Sequence, residues 1–366
     1  MKTLTVTTVT FILSLCIAGQ VNARDFQMFA LDYEGCYDRT RDKNTFVVDS
    51  HLHFQPFGGP AIGFDKLLDM VLAEEVYFIN AYGIGQKLPS KSSCTYYLDC
   101  PGTPVTPSIT NDFVNASNIA KRLPNNLPED IHITLSMSFT NLSEPQSVVP
   151  QMELLEKEFP NMFTWMGEIN VAKQAIFPNG HYPVPKEDIA RWKDFMAVTE
   201  ARNIPVSLHS DLGNNKNPTK YLGLMEEVLA LYPGNIIVWH HMGLSSELSS
   251  IDARQHIKIL KRLLDEHPHL YIDITWRVLY DNVFSDEKKR PQYVKFLNTY
   301  SNRFLPGTDF VASANKPDER YGEEVDVNSD ILKDLDDTAF RNIALGQNYF
   351  NLLALPYKAP TVCGMK

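Results

Sequence analysis

The chain has no surplus of positive charge. Its 34 Lys and Arg stand against 44 Asp and Glu, a formal net charge of −10, which disfavours a nucleic-acid partner because that would call for a basic surface. After its first two dozen residues it has no apolar segment approaching the roughly 20 residues that a membrane-spanning helix needs. No internal repeat, low-complexity tract or Gly/Ser linker divides it. Cysteine is scarce, five in 366 residues, and no pair has the CxxC spacing usual in structural zinc sites. What remains is ordinary globular material, 44% apolar and 21% charged, long enough for one large α/β barrel or two ordinary domains.

The first residues, "MKTLTVTTVTFILSLCIAGQVNARDF", place Lys2 before a largely apolar stretch to about Ile17, with small Ala23 at a cleavage point. This predicts a secretory signal peptide over residues 1–23 and a mature chain from 24 to 366, secreted or periplasmic and free of the membrane after cleavage. Without Cys16, four cysteines remain in a compartment that permits disulfides. Three pairings are open to them. The short loop "CTYYLDCPG" makes Cys94–Cys100 the local one and leaves Cys36 to meet Cys363.

Beyond residue 44, apolar runs alternate with amphipathic stretches. The runs are "FVVDSHLHF", "VYFINAYG", "IHITLSMSF", "FTWMGEINV", "IPVSLHSDL", "NIIVWHHMG", "LYIDITWRV" and "RFLPGTDFV". Continuous apolar strands between helices argue for a parallel sheet covered on both faces. Eight such units predict an α/β fold, a single (β/α)8 TIM barrel over residues 24–366. Two insertions, 83–111 and 175–185, follow the second and fourth strands and are expected as substrate walls at the C-terminal face.

Ionisable residues gather where these runs end. His51 and His53 close the first, Glu168 the fourth, His209 the fifth, His240 and His241 the sixth, and Asp309 the eighth. Catalytic groups of barrels come from the ends of several strands. Imidazoles with carboxylates suit zinc or a similar divalent ion. Such an ion supplies hydroxide near neutral pH, Asp309 takes a proton as general base, and an imidazole polarises the electrophile.

The ordered motifs "DSHLHF", "GEI", "SLHSD", "HHMG" and "LPGTD" resemble the signatures of the amidohydrolase superfamily, over roughly residues 45–355. The tail "IALGQNYFNLLAL" is similar to the closing helix of its amidohydrolase-2 branch, with Gln347-Asn348 where Gly-Asn is commoner. The resemblance implies that His51, His53 and Asp309 hold the buried metal, that Glu168 can bridge two ions, and that His209 and His241 complete the ligand set. His241 also stabilises the oxyanion in this reading. Many members carry a carbamylated Lys on strand four; this chain has Glu168, with Lys173 five residues on as a poor substitute. The six ligating positions favour two zinc ions over one. By strand alternation His240 faces away, between barrel and helices.

Arg277 is a candidate clamp for a substrate carboxylate or phosphate, or one half of a structural salt bridge. Trp276 either walls the pocket or packs in the core, and Tyr82 is a candidate donor to substrate. Asp211 either orients a ligand imidazole or caps the next segment. His181, His256, His267 and His269 read as surface histidines. The leading function is a metal-dependent hydrolase of an amide, ester or lactone carbonyl in a small molecule, with a homo-oligomer compatible. The alternatives are a non-oxidative decarboxylase with one metal and an exported protein that holds metal without turnover.

Overall fold

A computed structural model describes residues 24–123 and 127–364; the leader expected over residues 1–23 lies outside the described residues. The eight apolar runs form one parallel sheet. Its strands are β1 (Val48–His53), β2 (Phe78–Tyr82), β3 (His132–Met137), β4 (Phe163–Ala172), β5 (Val206–Ser210), β6 (Ile237–Trp239), β7 (Leu270–Asp273), β8 (Phe304–Leu305) and β9 (Phe310–Val311). Both faces of the sheet are covered, so β1, β2, β5 and β6 are buried at every position, which is why they read as unbroken apolar runs. β8 and β9 are the two halves of the eighth run. The first pairs with β7 and the second with β1, and the chain between them closes the barrel.

That closure is fastened by backbone bonds, Ser50 N to Pro306 O at 3.0 Å and Asp309 N to His51 O at 2.8 Å, and by one carboxylate. Asp49 is wholly buried; it accepts from Thr308 N and Thr308 Oγ1 at 2.9 and 2.6 Å, from Tyr321 OH at 3.2 Å, and from His51 N at 3.2 Å. Gly307 makes the approach feasible, because a Cβ there would lie 2.6 Å from Asp49 Oδ1. Burial pushes the Asp49 carboxyl up to about 6, against the lowering by these donors.

Helices ring the barrel: α1 (Phe64–Ala73), α2 (Thr110–Ala120), α3 (Val148–Glu158), α4 (Lys193–Ala201), α5 (Leu222–Leu231), α6 (Ala253–Glu266), α7 (Arg290–Thr299), α8 (Arg320–Ser329), α9 (Asp337–Ile343) and α10 (Gln347–Leu352). α6 shows the logic. Asp252 caps it by accepting from Gln255 N, and Ala253, His256, Leu260, Leu263 and Leu264 share its buried face. His256 is therefore no surface histidine; its ring bonds Tyr293 OH at 2.7 Å and Met242 O at 2.9 Å.

Cys36 is joined to Cys363, and Cys36–Tyr37 pairs in parallel with Thr361–Val362. Cys94–Cys100 closes a loop in the first insertion. The two insertions form one wall: Asn179 Nδ2 donates to the carbonyls of Tyr97, Cys100 and Thr103 at 2.8, 3.2 and 3.1 Å. Among the described residues, no helix is long and apolar enough to cross a membrane.

The Cys36–Cys363 bond spans 327 residues, so it removes much entropy from the unfolded chain. Cys36→Ser should cost about 2–4 kcal/mol of unfolding free energy, read as a lower urea midpoint under oxidising conditions. An unchanged midpoint would remove this tie from the stability of the fold.

Candidate metal centre

The end of β1, the middle of β4 and the turns after β6 and β8 bring His51, His53, Glu168, His241 and Asp309 into overlapping clusters of ligand atoms: His51, His53 and Glu168; His51, His241 and Asp309; and Glu168, His209, His240 and His241. His51 Nε2 and His53 Nε2 are 3.1 Å apart. Asp309 Oδ1 lies 3.4 Å from the first and 3.2 Å from the second, and Glu168 Oε2 lies 3.4 Å from His53 Nε2. Ligand atoms around a tetrahedral zinc at 2.0–2.1 Å stand roughly 3.3–3.4 Å from one another. The donor set therefore fits a divalent ion in spacing as well as in chemistry.

The backs of the rings fix their tautomers. His51 Nδ1 faces Asp273 Oδ2 at 2.9 Å, and His53 Nδ1 faces Gly83 O at 2.8 Å. His241 Nδ1 faces Thr275 O at 3.2 Å and Asp273 Oδ1 at 3.5 Å. An acceptor behind each Nδ1 puts a proton there and turns Nε2 toward the shared point, where it would meet a metal. His241 Nε2 has no hydrogen-bond partner and lies 3.7 Å from Asp309 Oδ2. Its bare lone pair accepts and cannot donate, so the expected oxyanion role for His241 does not suit this tautomer; a ligand role does. Asp273, which the sequence reading passed over, holds His51 and also accepts from His241 N at 2.5 Å.

The charges follow. Burial opposes ionisation of Asp309, but His51, His53 and His241 around it hold its carboxyl well below the usual range. Burial lowers His53, yet Asp309 and Glu168 outweigh it and raise the imidazole to about 9. His241, with burial dominant, falls to about 3.

Strand alternation misplaces His240. β6 ends at Trp239, and the following turn runs through His241 and Met242 at φ 56° and 55°, so both histidines turn inward. His240 is buried, its ring 4.1 Å from that of His51, and neither of its nitrogens has a hydrogen-bond partner. Trp276 (φ 74°) and Asp309 (φ 56°) are also left-handed. Such non-glycine residues cost about 1–3 kcal/mol each and gather at functional sites.

His209 and Lys173 form the other flank. His209 Nδ1 meets Glu168 Oε1 at 2.5 Å and its Nε2 meets Asp211 Oδ1 at 2.9 Å. Burial and Lys173 lower this ring, but Glu168 and Asp211 raise it to about 9. Both nitrogens are therefore engaged, and neither offers a lone pair to the point shared by His51, His53 and Asp309. Lys173, a poor substitute for the strand-four lysine by its spacing, is buried and reaches Glu168 Oε1 and Oε2 at 2.7 and 3.0 Å. Gly167 permits this crowding: at φ 131°, a Cβ there would stand 2.5 Å from Ser207 O.

Above the centre opens a cavity of about 280 Å³, lined by Phe57, Tyr96, Trp276 and Lys316 among others. Arg277 also lines it, tied only loosely to Asp281 at 3.6 Å. Trp276 stands edge-on to His241, ring centres 5.0 Å apart. Tyr82 does not reach this cavity. Its hydroxyl crosses the barrel to Ser207 Oγ at 3.0 Å, and its ring lies 4.6 Å from His51; it is a floor to the histidines, not a substrate donor.

Neither a protein-family model nor a curated relative matches the sequence. Among solved structures, the chain is similar to the apo form of an Agrobacterium tumefaciens protein, with a TM-score of 0.52 and 13% identity over 88% of this chain and 98% of that one. It is more loosely similar to a zinc-bound amidohydrolase from Burkholderia multivorans (TM-score 0.49, 14% identity, 84% of this chain and 99% of that one). A further likeness is to an amidohydrolase 2 from Bifidobacterium longum subsp. infantis (TM-score 0.43, 12% identity, 85% and 99%). The first likeness establishes a shared fold. The chemistry rests on this chain's own side chains.

With His53 raised to about 9, a proton occupies its ring at neutral pH in the metal-free protein and must leave when a metal enters. Apparent zinc affinity should rise about tenfold per pH unit from pH 6.5 to 8.5 and level off near 9. Competition titrations with a chelating dye check the slope; a flat profile would show that His53 gives up no proton.

Proposed function

We propose that the chain is an exported metal-dependent hydrolase of the amidohydrolase superfamily, acting on the amide, ester or lactone carbonyl of a small, anionic molecule. One observation carries this reading. Three imidazoles, His51, His53 and His241, are held by acceptors at Nδ1 so that their Nε2 atoms face the Asp309 carboxylate. His51, His53 and Asp309 would hold the ion, with Glu168 alongside. Zinc suits the donors, and such an ion supplies Lewis acidity toward a carbonyl and activates water near neutral pH.

The protein's own groups supply the rest. Asp309 Oδ1 faces the two histidines of β1, which leaves Oδ2 on the side of His241, where it can take the proton of the attacking water and return it to the leaving group. The three histidines beside it favour the ionised form of Asp309 for that task. Trp276, Phe57 and Tyr96 give the substrate apolar walls. Arg277 and Lys316 bring positive charge to the mouth of an acidic protein, which suits a substrate carboxylate. The two disulfides support export.

The same cations favour a second reading, decarboxylation of a small acid. A panel of esters, lactones, amides and carboxylic acids separates the two, since hydrolysis yields an acid with an alcohol or amine and decarboxylation yields carbon dioxide. Stoichiometric metal with no turnover of any carbonyl substrate would sink the hydrolase.

His53→Ala should lose zinc and activity together, by metal analysis and rate measurement on the same preparation. Asp309→Asn should retain part of the zinc and lose about 10²–10⁴ in turnover. An active Asp309→Asn would remove the proposed base.

A further inference from the structure

We propose that the ammonium of Lys173 takes the place of a second metal ion beside Glu168, so that the protein binds one divalent ion per chain. The proposal rests on the metal-centre reading above and concerns the number of ions, which that reading leaves free.

A bridging carboxylate needs an oxygen open toward each of two cations. Glu168 has only one: Oε2 faces the first site, 3.4 Å from His53 Nε2, while Oε1 is taken on both sides. Lys173 Nζ donates to both of its oxygens, and His209 Nδ1 lies against Oε1 as well. Lys173 Nζ at 2.7 Å and His209 Nδ1 at 2.5 Å together fill both lone-pair directions of Oε1, so a second ion would have no oxygen there to bind at about 2.0–2.2 Å, and the ammonium would repel it as a like charge. His209 closes the flank from the other side, with Asp211 on its second nitrogen. Lys173, Glu168, His209 and Asp211 thus form an alternating chain of positive and negative groups where a second ion would otherwise sit.

The lysine is also held in place. Lys173 follows the last residue of β4 with an extended backbone. The next residue, Gln174, donates its backbone N and Nε2 to Asp211 Oδ2 at 2.8 and 3.2 Å, and Asp211 N donates to Ala172 O at 2.7 Å. The ammonium stands 5.3 Å from the centre of the Phe57 ring, and both line the cavity. Withdrawing it would strip Glu168 of its counter-ion inside the barrel.

The experiment is a metal count. Wild-type protein, stripped and then dialysed against zinc, is measured by elemental analysis beside Lys173→Met and Lys173→Arg. Cobalt-loaded samples are examined by electron paramagnetic resonance for a spin-coupled pair. Wild type and Lys173→Arg should hold one ion; Lys173→Met should hold two and give the coupled signal with cobalt. Two ions in the wild type would overturn the proposal and leave the hydrolase reading intact. One ion in both wild type and Lys173→Met would show that Lys173 excludes nothing. No ion in the wild type would overturn both readings. Should Lys173→Met not fold, Lys173→Gln makes the same comparison, and the wild-type count alone still decides against the proposal if it is two.

Discussion

The buried contact between Asp49 and Thr308 holds the first and last strands of the barrel together. A ring of parallel strands is complete only when its eighth member meets its first, and here that member is broken at Pro306-Gly307. The Asp49 carboxylate spans the break with two bonds to Thr308 and a third from Tyr321. The residue after Thr308 is Asp309. The bond that closes the barrel therefore also sets how far Asp309 stands from His51 and His53, two and four residues beyond Asp49. A buried carboxylate is costly, and its several donors are the compensation.

Around this seam the site divides into two halves with different electrostatics. On one side, neutral acceptors and Asp273 sit behind the histidines and turn their Nε2 atoms toward Asp309. On the other, carboxylates take both nitrogens of His209, and Lys173 takes both oxygens of Glu168. The first half presents three Nε2 atoms to a single carboxylate, and the second has its own cation in Lys173. The same residue types, histidine with carboxylate, give opposite results depending on whether a buried ammonium stands among them.

Much of this was legible in the sequence. The barrel followed from eight apolar runs, each long enough for a strand buried on both faces. The site followed from polar residues standing where those runs end. The same rule would have found Asp273, the polar residue that ends the seventh strand. Helical spacing would have found His256, which shares a face with Leu260 and Leu263. His240 was misread because alternation applies only while a strand lasts, and β6 stops one residue earlier. Lys173 was hidden for a different reason: five residues from Glu168 is too far for a strand-end partner in sequence, but a long side chain can reach back along its own strand. Which nitrogen of each histidine faces the centre depends on carbonyls from distant segments, Gly83 and Thr275, that no local pattern reveals.

The left-handed backbone at His241, Trp276 and Asp309 has an evolutionary consequence. Glycine adopts that conformation without strain, so a chain shaped only for stability would drift toward glycine at these positions. Each would then lose a proposed ligand, cavity wall or base. Substitutions that stabilise the fold and substitutions that abolish its chemistry thus coincide at these positions. Glycine here in a homologous barrel would mark a protein that had kept the scaffold and abandoned the reaction.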